Sequence, residues 1–320
     1  MAKIFLAGHK GMVGSAILRA LDHEQNEIIT ADRTELDLLD NSKVENFFKD
    51  NKFDEVYIAA ARVGGVYANN IYPANFLYEN LSIQLNIINS AHTYDVNKIL
   101  FLGSSCIYPK NADIPLKENA LLNGHLEATN EPYAIAKIAG IKLCESYNRQ
   151  FDRDYRSLMP CNLYGPGDNY NLENSHVIPA LIRKFYYAKK NRLRNVSIWG
   201  SGKPMREFLH VNDLANASIF FMNLDQEKYK ENTKPMLSHI NIGSGKEISI
   251  RELANKISDI IGFKGVIEYD SSKPDGTMRK CLDCSLASSF GWRAKMDLDS
   301  GLRATFSSFL NEIEDHNVRA

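Results

Sequence analysis

The sequence predicts an α/β protein in which a doubly wound parallel sheet is joined to a smaller, mixed α/β lobe. Three observations lead to this prediction. Short apolar runs alternate with segments of helical periodicity in the first half, a glycine-rich turn separates the first strand from the first helix, and the alternation stops after Pro160. Strand–helix alternation requires right-handed crossovers, which give a parallel sheet covered on both faces. The first half is therefore expected to form a Rossmann sheet.

The elements of the first half are placed by the spacing of apolar residues. They are expected as strand 3–7, helix 11–23, strand 27–31, helix 42–50, strand 55–60, helix 73–94, strand 98–102, a helix from about Tyr133 to 150, and strand 155–160. Residues 1–160 are accordingly predicted to form a dinucleotide-binding domain, with a sheet that later segments complete.

The second half has shorter and more mixed elements. They are expected as helix 177–190, strand 196–199, a helix from 211, strand 240–242, helix 249–262, strand 265–269 and a terminal helix from 299. These pieces are too short to build a second large sheet. Residues 161–320 are therefore predicted to form mainly a substrate-binding lobe.

The glycine-rich turn follows strand 3–7 directly and precedes an amphipathic helix. A turn in this context points backbone N–H groups and a helix N-terminus at a pyrophosphate, which predicts dinucleotide binding. The spacing Gly-x-x-Gly-x-x-Gly is similar to that of extended short-chain dehydrogenase/reductases. The segment consists of Gly8, His9, Lys10, Gly11, Met12, Val13 and Gly14.

A reaction centre is predicted at the end of strand 98–102, where Ser104 and Cys106 follow a glycine. Tyr133 and Lys137 lie four residues apart, so they share one helix face. Such a pair is by itself an ordinary surface feature, but a nearby cation also favours a phenolate, which predicts that Lys137 tunes Tyr133. A thiol beside cations can remove a proton α to a ketone, although Cys106 can equally be a packed residue at a strand end.

Composition narrows the function classes. The 320 residues carry a formal net charge of −1, with 44% hydrophobic and 24% charged residues, so neither nucleic acid nor a membrane is predicted as a partner. No apolar run is long enough for a membrane span, and no signal peptide is recognised, which predicts a cytoplasmic protein. The five cysteines are expected to be free thiols, and Cys281-x-x-Cys284 lacks a second pair, so no metal site is predicted.

Six segments together resemble the GDP-L-fucose synthase family over nearly the whole chain: 8–14, 60–65, 103–109, 131–140, 174–179 and 199–208. The resemblance implies an NADPH-dependent homodimer that epimerises GDP-4-keto-6-deoxy-D-mannose at C3 and C5 and then reduces C4. It implies that Ser104, Tyr133 and Lys137 form the reductase triad. Cys106 matches the family's epimerisation base, and His176 matches the acid that protonates the opposite face.

The resemblance also implies two sets of binding residues. Besides the glycine-rich turn, the residues expected to bind NADP(H) are Arg33, Leu102, Gly103, Ser104, Ser105, Lys137, Pro160, Cys161, Asn162, Leu163 and His176. Those expected to hold the GDP-sugar are Lys184, Trp199, Arg206 and Asp275. Lys184 departs from the family's arginine. Asp32, next to Arg33, is the residue type that bonds the free ribose hydroxyls of NAD, so NADH stays a second possibility.

Four other functions share parts of this pattern. A 4,6-dehydratase would carry an acid pair after the serine, where Ser105 and Cys106 stand. A simple 4-epimerase would not need a Cys and His pair, and a non-catalytic NADP-binding sensor would lose the triad. Synthesis of a GDP-colitose-type sugar uses nearly the same chemistry and stays open as the alternative substrate class.

Overall fold

The computed structural model of the chain describes residues 1–21, 26–172, 175–273, 275–316 and 318. A six-stranded parallel sheet lies at its centre, which confirms the predicted fold class. Its strands are β1 (Lys3–Ala7), β2 (Glu27–Ile29), β3 (Glu55–Ile58), β4 (Lys98–Leu102), β5 (Asp154–Pro160) and β9 (Ile240–Ile242). They lie in the order β2-β1-β3-β4-β5-β9, so the direction of winding reverses at β1.

Helices form two layers beside this sheet. The helices of the first half are α1 (Met12–Leu21), α2 (Asn41–Asn51), α3 (Val66–Ile71), α4 (Pro73–Thr93) and α5 (Glu131–Phe151). Helices α2, α4 and α5 pack side by side, whereas α1 packs on α7 (Val211–Asn223). The helix predicted at 11–23 begins as expected, and its predicted end lies outside the described residues.

The ends of several helices follow from local side-chain chemistry. Asp40 precedes α2 and accepts a hydrogen bond from Lys43 N. Ser249 precedes α9 (Ile250–Ile261) and forms a capping box with Glu252, and Gly262 ends that helix in a left-handed conformation. These signals are readable in the sequence, and this helix was predicted to within a residue.

The second half adds two smaller sheets. One contains β6 (Asn162–Tyr164), β8 (Met205–His210), β10 (Glu247–Ser249) and β12 (Arg279–Lys280), and the other pairs β7 (Asn195–Trp199) with β11 (Val266–Asp270). Its remaining helices are α6 (Val177–Lys190), α8 (Gln226–Asn232), α10 (Ser285–Ser289) and α11 (Leu298–Glu314). The sequence did not predict β6, β8, β10, β12, α3, α8 or α10. Most of these elements are too short to show a hydrophobic period.

The buried apolar side chains form two clusters. The larger surrounds the six-stranded sheet and includes an aromatic group in which the Phe5 ring lies 5.0 Å from Phe47 and 5.3 Å from Phe53. The smaller lies between α6, α9 and α11 and contains Phe185 and Phe309. In the described part of the chain, no helix is long and apolar enough to cross a membrane.

Candidate active site

The glycine-rich turn lies at the edge of the sheet where the winding reverses, between the ends of β1 and β3. Gly8 has a φ of +90°, and a Cβ there would come within 2.6 Å of the Ala60 backbone nitrogen. A Cβ on Gly14 would overlap the carbonyl oxygen of Gly8. The buried Nδ1 of His9 has no partner among the described residues. A backbone this tightly wound into the start of α1 fits a dinucleotide pyrophosphate.

The residues after β2 bear on cofactor choice. The Asp32 carboxylate accepts hydrogen bonds from Lys10 Nζ at 2.7 Å and from Thr34 Oγ1 at 2.6 Å. The hydrogen bond from Lys10 is the largest of the contacts that hold the pKa of Asp32 well below its usual range. Arg33 is exposed. Asp32 is therefore engaged with nearby side chains, whereas Arg33 forms no ion pair within the described part of the chain.

The end of β4 carries the serine and the cysteine. Gly103 N donates to Leu158 O at 2.9 Å, which continues the pairing of β4 with β5. The chain then turns into a short 3-10 helix, Ser105–Ile107, where Cys106 N donates to Ser104 Oγ at 3.4 Å. This turn aims Cys106 into a buried position with only 7% of the residue exposed.

Helix α5 brings Lys137 to the end of β4. Its Nζ donates to Leu102 O at 2.8 Å and lies 4.8 Å from the centre of the Phe101 ring and 5.8 Å from that of Tyr133. Burial lowers the pKa of the ammonium from 10.5 to about 8. Two of the three N–H donors of this ammonium remain for a ligand, such as the ribose of a dinucleotide.

The expected effect of Lys137 on Tyr133 is not found. Burial raises the pKa of the Tyr133 phenol, and the charge of a Cys106 thiolate raises it further. Burial is therefore the dominant influence on the Tyr133 phenol, and Lys137 does not offset it. The raised pKa keeps the Tyr133 phenol protonated at neutral pH, which is the form that donates a proton.

Several groups shift the pKa of the Cys106 thiol, and they do so in opposite directions. Burial raises the pKa of the thiol, whereas the positive charges of Lys280 and Lys137 and a hydrogen bond with Ser104 lower it. Lys280 has the largest of these lowering effects. The thiolate form of Cys106 therefore depends on cations from two different elements, α5 and β12.

His176 comes from a different segment of the chain. It directly precedes α6, and its side chain makes no capping hydrogen bond. The protein around it lowers the pKa of the imidazole, but the residue is exposed, so this desolvation is partial. No hydrogen bond or charge interaction joins His176 to Cys106 among the described residues. The motif residue Asn174 lies outside those residues.

The four residues expected to hold the GDP-sugar form two interacting pairs, Lys184 with Trp199 at the end of β7 and Asp275 with Arg206 at the start of β8. Lys184 Nζ lies 5.9 Å from the centre of the Trp199 ring, and that tryptophan is 58% exposed. The Asp275 carboxylate accepts from Ser201 N at 2.6 Å and from Ser201 Oγ at 2.8 Å. Asp275 also partly offsets the effect of burial, which lowers the pKa of Arg206. An exposed aromatic face beside fixed cations suits a nucleotide base and a diphosphate.

The segment 160–163 continues the sheet edge. Cys161 N donates to Ile242 O at 3.0 Å, and Asn162 Nδ2 donates to Glu207 O at 2.8 Å. The segment thus links the large sheet to β8.

All five cysteines are free thiols, as expected. In the described ranges, no three His, Cys, Asp or Glu side chains are grouped to hold a metal ion.

Two residues of the site were missed by sequence reasoning. Lys280 and Asn130 line one cavity with Cys106. The Oδ1 atom of Asn130 is buried there without a hydrogen-bond partner among the described residues. Asn130 stands three residues before Tyr133, so its place at the start of α5 was a usable signal. Lys280 reaches the cavity only through the pairing of β12 with β8, which leaves no local signal.

Comparisons with known proteins identify relatives of this chain. Residues 4–243 match the model of the NAD dependent epimerase/dehydratase family. GDP-L-fucose synthase of Escherichia coli (strain K12) is 58% identical over 309 residues, 96% of each chain. GDP-L-colitose synthase of Yersinia pseudotuberculosis is 42% identical over 97% of this chain and 98% of that protein. A solved GDP-mannoheptose C4 reductase from Campylobacter jejuni with NADP bound is 37% identical, covers 97% of this chain and 98% of its own, and superimposes with a TM-score of 0.87.

Proposed function

Because this chain belongs to the NAD dependent epimerase/dehydratase family and, within it, to the GDP-L-fucose synthases, we propose that it converts GDP-4-keto-6-deoxy-D-mannose to GDP-L-fucose with NADPH. The observation that carries this proposal is the grouping of Ser104, Cys106 and Lys137 at the end of β4. A reductase alone needs no base beside its serine. The buried thiol between two ammonium groups supports the epimerisation steps as well.

Epimerisation begins with the acidity that the 4-ketone gives to C3 and C5. Cys106, as the thiolate, removes a proton from one of these carbons, and the electron pair moves to the carbonyl oxygen to form an enolate. Ser104 and the neutral Tyr133 hydroxyl donate hydrogen bonds to that oxygen. His176 then delivers a proton to the opposite face, because return from the same face would only restore the substrate.

Reduction uses the same donors. When bound, NADPH would supply the hydride for C4. Tyr133 gives its proton to the carbonyl oxygen as the charge develops there, and burial suits this role because it keeps the phenol protonated. Lys137 holds the cofactor ribose and stays fixed by its hydrogen bond to Leu102 O. One set of oxygen-binding groups therefore serves both half-reactions.

The cofactor and substrate occupy different parts of the chain in this proposal. Residues 1–160 hold NADPH through the glycine-rich turn and Arg33, and 161–320 supply most contacts to the GDP-sugar through Trp199, Arg206 and Asp275. The engagement of Asp32 with Lys10 supports NADPH over NADH, because that carboxylate is already used.

The assembly is proposed to be a cytoplasmic homodimer. Helices α4 and α5 pack together and leave four large apolar side chains exposed: Tyr78 at 68%, Leu85 at 42%, Ile135 at 43% and Phe151 at 46%. Burying such a surface against a second copy would remove it from water. Sedimentation equilibrium tests this directly, because a single species at the monomer mass at micromolar concentration would contradict the dimer.

The test of the reaction follows protons and product together. Purified protein is incubated with NADPH and GDP-4-keto-6-deoxy-D-mannose in deuterium oxide, and proton and mass spectra report exchange at C3 and C5 and the configuration of the product. Cys106→Ser should lose exchange and reduce the uninverted sugar slowly. His176→Asn should keep exchange from one face and lose inversion.

Cys284→Ser is the matched control, because this half-buried thiol lies outside the reaction centre, and it should behave like the unchanged protein. Unchanged exchange in Cys106→Ser would contradict its assignment as the base. Offering the 3-deoxy substrate in parallel separates the two sugar classes, and faster turnover of that sugar would favour the colitose-type reaction.

A further inference from the structure

Lys280 and the preceding residue, Arg279, differ in whether a carboxylate compensates their charge. On β12, Arg279 is neutralised by Glu247, with its Nη2 2.6 Å and its Nε 2.9 Å from the two carboxylate oxygens. Lys280 has no carboxylate within ion-pair distance among the described residues. Both side chains line the cavity that contains Cys106. The Lys280 ammonium therefore shares a cavity with the Cys106 thiol, and no described carboxylate compensates its charge there.

The position of β12 is fixed from two sides. Lys280 stands opposite Arg206 in the parallel pairing of β12 with β8. Beyond it, Leu116 N donates to Cys281 O at 2.8 Å, and Asp283 N donates back to Leu116 O at 2.8 Å. The strand is thus held between β8 and the segment that leads towards α5, which keeps the Lys280 side chain at the cavity.

The groups that act on the Cys106 thiol can be named element by element. Lys280 approaches from β12, while Lys137 and Tyr133 approach from α5. Lys137 already donates to Leu102 O. Lys280 is not committed to any described acceptor, and its charge has the largest effect in favour of the thiolate. In return, the thiolate favours the charged form of Lys280 against burial and against the repulsion of Arg206.

We propose that Lys280 is the positioning residue for Cys106, and that its ammonium stabilises the thiolate that removes the α proton of the sugar. This rests on the proposed role of Cys106 as the base. In the step, the S–H bond forms as the C–H bond breaks, and the electron pair of that bond becomes the enolate. Lys280 stays protonated throughout. Lys280 stands opposite Arg206, one of the residues proposed to hold the GDP-sugar, and it shares a cavity with Cys106. It therefore joins the proposed substrate site to the reaction centre.

The first experiment measures the thiolate itself in the protein without cofactor or substrate. Thiolate absorbance near 240 nm is followed against pH, and the titration of the Cys106→Ser form of each protein is subtracted, which leaves the signal of Cys106. In Lys280→Met and Lys280→Gln this signal should appear at higher pH than in the unchanged chain. Lys280→Arg should restore it. A titration that is the same with and without the charge at position 280 overturns the proposal.

The double variant Lys110→Met/Glu127→Gln is the matched control for this titration. Lys110 lines the same cavity, and its Nζ is paired with Glu127 Oε2 at 2.9 Å, so replacing both partners removes a second ammonium without changing the net charge of the cavity wall. The double variant should leave the Cys106 titration where it was. A shift equal to that of Lys280→Met would show that any change in the cavity wall moves the titration and would contradict a specific role for Lys280.

The second experiment follows solvent exchange at C3 and C5 across pH. In Lys280→Met the exchange rate should fall about tenfold or more at neutral pH and approach the unchanged rate at alkaline pH, where the thiol ionises unaided. A loss of the same size at every pH would indicate a structural role. A raised KM with an unchanged thiol titration would assign Lys280 to the diphosphate instead. Solvent exchange that survives in Cys106→Ser would show that Cys106 is not the base, and it would not change the result of the thiolate titration.

Discussion

Lys137 offers a direct test of the cost of a buried ammonium. Only 3% of the residue is exposed, and no carboxylate lies within ion-pair distance of it among the described residues. Its pKa falls from 10.5 to about 8 on folding. At about 1.4 kcal/mol per pH unit, the charged form costs the folded protein about 3 kcal/mol relative to the neutral amine. This cost is present in full below pH 8.

Replacing Lys137 by Met removes the cost together with one hydrogen bond. The bond from Nζ to Leu102 O is charge-assisted and worth about 1.5–3 kcal/mol, so Lys137→Met should be more stable than the unchanged protein by up to about 1.5 kcal/mol at pH 7. Between pH 8 and 10.5 the unfolded chain binds the extra proton, so the stability of the unchanged protein rises with pH in that window. The advantage of Lys137→Met should therefore vanish by about pH 10.

The assay is urea unfolding of the cofactor-free proteins at pH 7 and pH 10. Lys142→Met is the control on the same helix, because Lys142 Nζ is paired at 2.8 Å with Glu145, whose side chain is 1% exposed. Losing that partner leaves a buried carboxylate, so this variant should be less stable by about 2 kcal/mol or more at both pH values. A stability difference for Lys137→Met that does not change with pH would refute the reasoning.

Three further predictions follow from the site. Tyr133→Phe should slow reduction by at least about a hundredfold while NADPH binding, titrated by fluorescence, stays unchanged; equal losses of both would show a structural role. Arg33→Ala should raise the KM for NADPH about 10- to 100-fold and barely change the KM for NADH, because a charge-assisted contact to the 2′-phosphate is worth about 1.5–3 kcal/mol. An equal rise for both cofactors would exclude that contact. Gly14→Ala should destabilise the cofactor-free protein by about 1–3 kcal/mol in thermal unfolding, because its Cβ meets the Gly8 carbonyl oxygen, whereas Gly11→Ala has 3.4 Å of room and should not.

The parts of the fold that the sequence predicted are those encoded locally. The glycine-rich turn, the α5 face that carries Tyr133 and Lys137, and the apolar strands of the large sheet all show their pattern within a short window. Strands such as β8 and β12 are defined by partners far along the chain. Arg206 could be placed only by resemblance for that reason, and Lys280 was not identified.

The electrostatics of the site were harder to predict than its composition. Spacing correctly placed Lys137 one turn from Tyr133, but the sign of the effect on the phenol depended on burial, which spacing does not report. Likewise, Asp32 suggested a contact to ribose until its hydrogen bond with Lys10 was known, and these two residues are 22 positions apart. The sequence therefore identified these titratable residues, but it did not show the burial and the hydrogen bonds that set their pKa values.

The late arrival of β9 in the central sheet has a consequence for synthesis on the ribosome. Strand β5 ends at Pro160, but its outer partner begins only at Ile240. Until that segment leaves the exit tunnel, the part of β5 that pairs with it, Leu158–Pro160, has no partner on that side, although its side chains are apolar. An unpaired edge of this kind invites pairing with other chains. The nascent chain therefore exposes this edge for as long as the intervening residues take to translate.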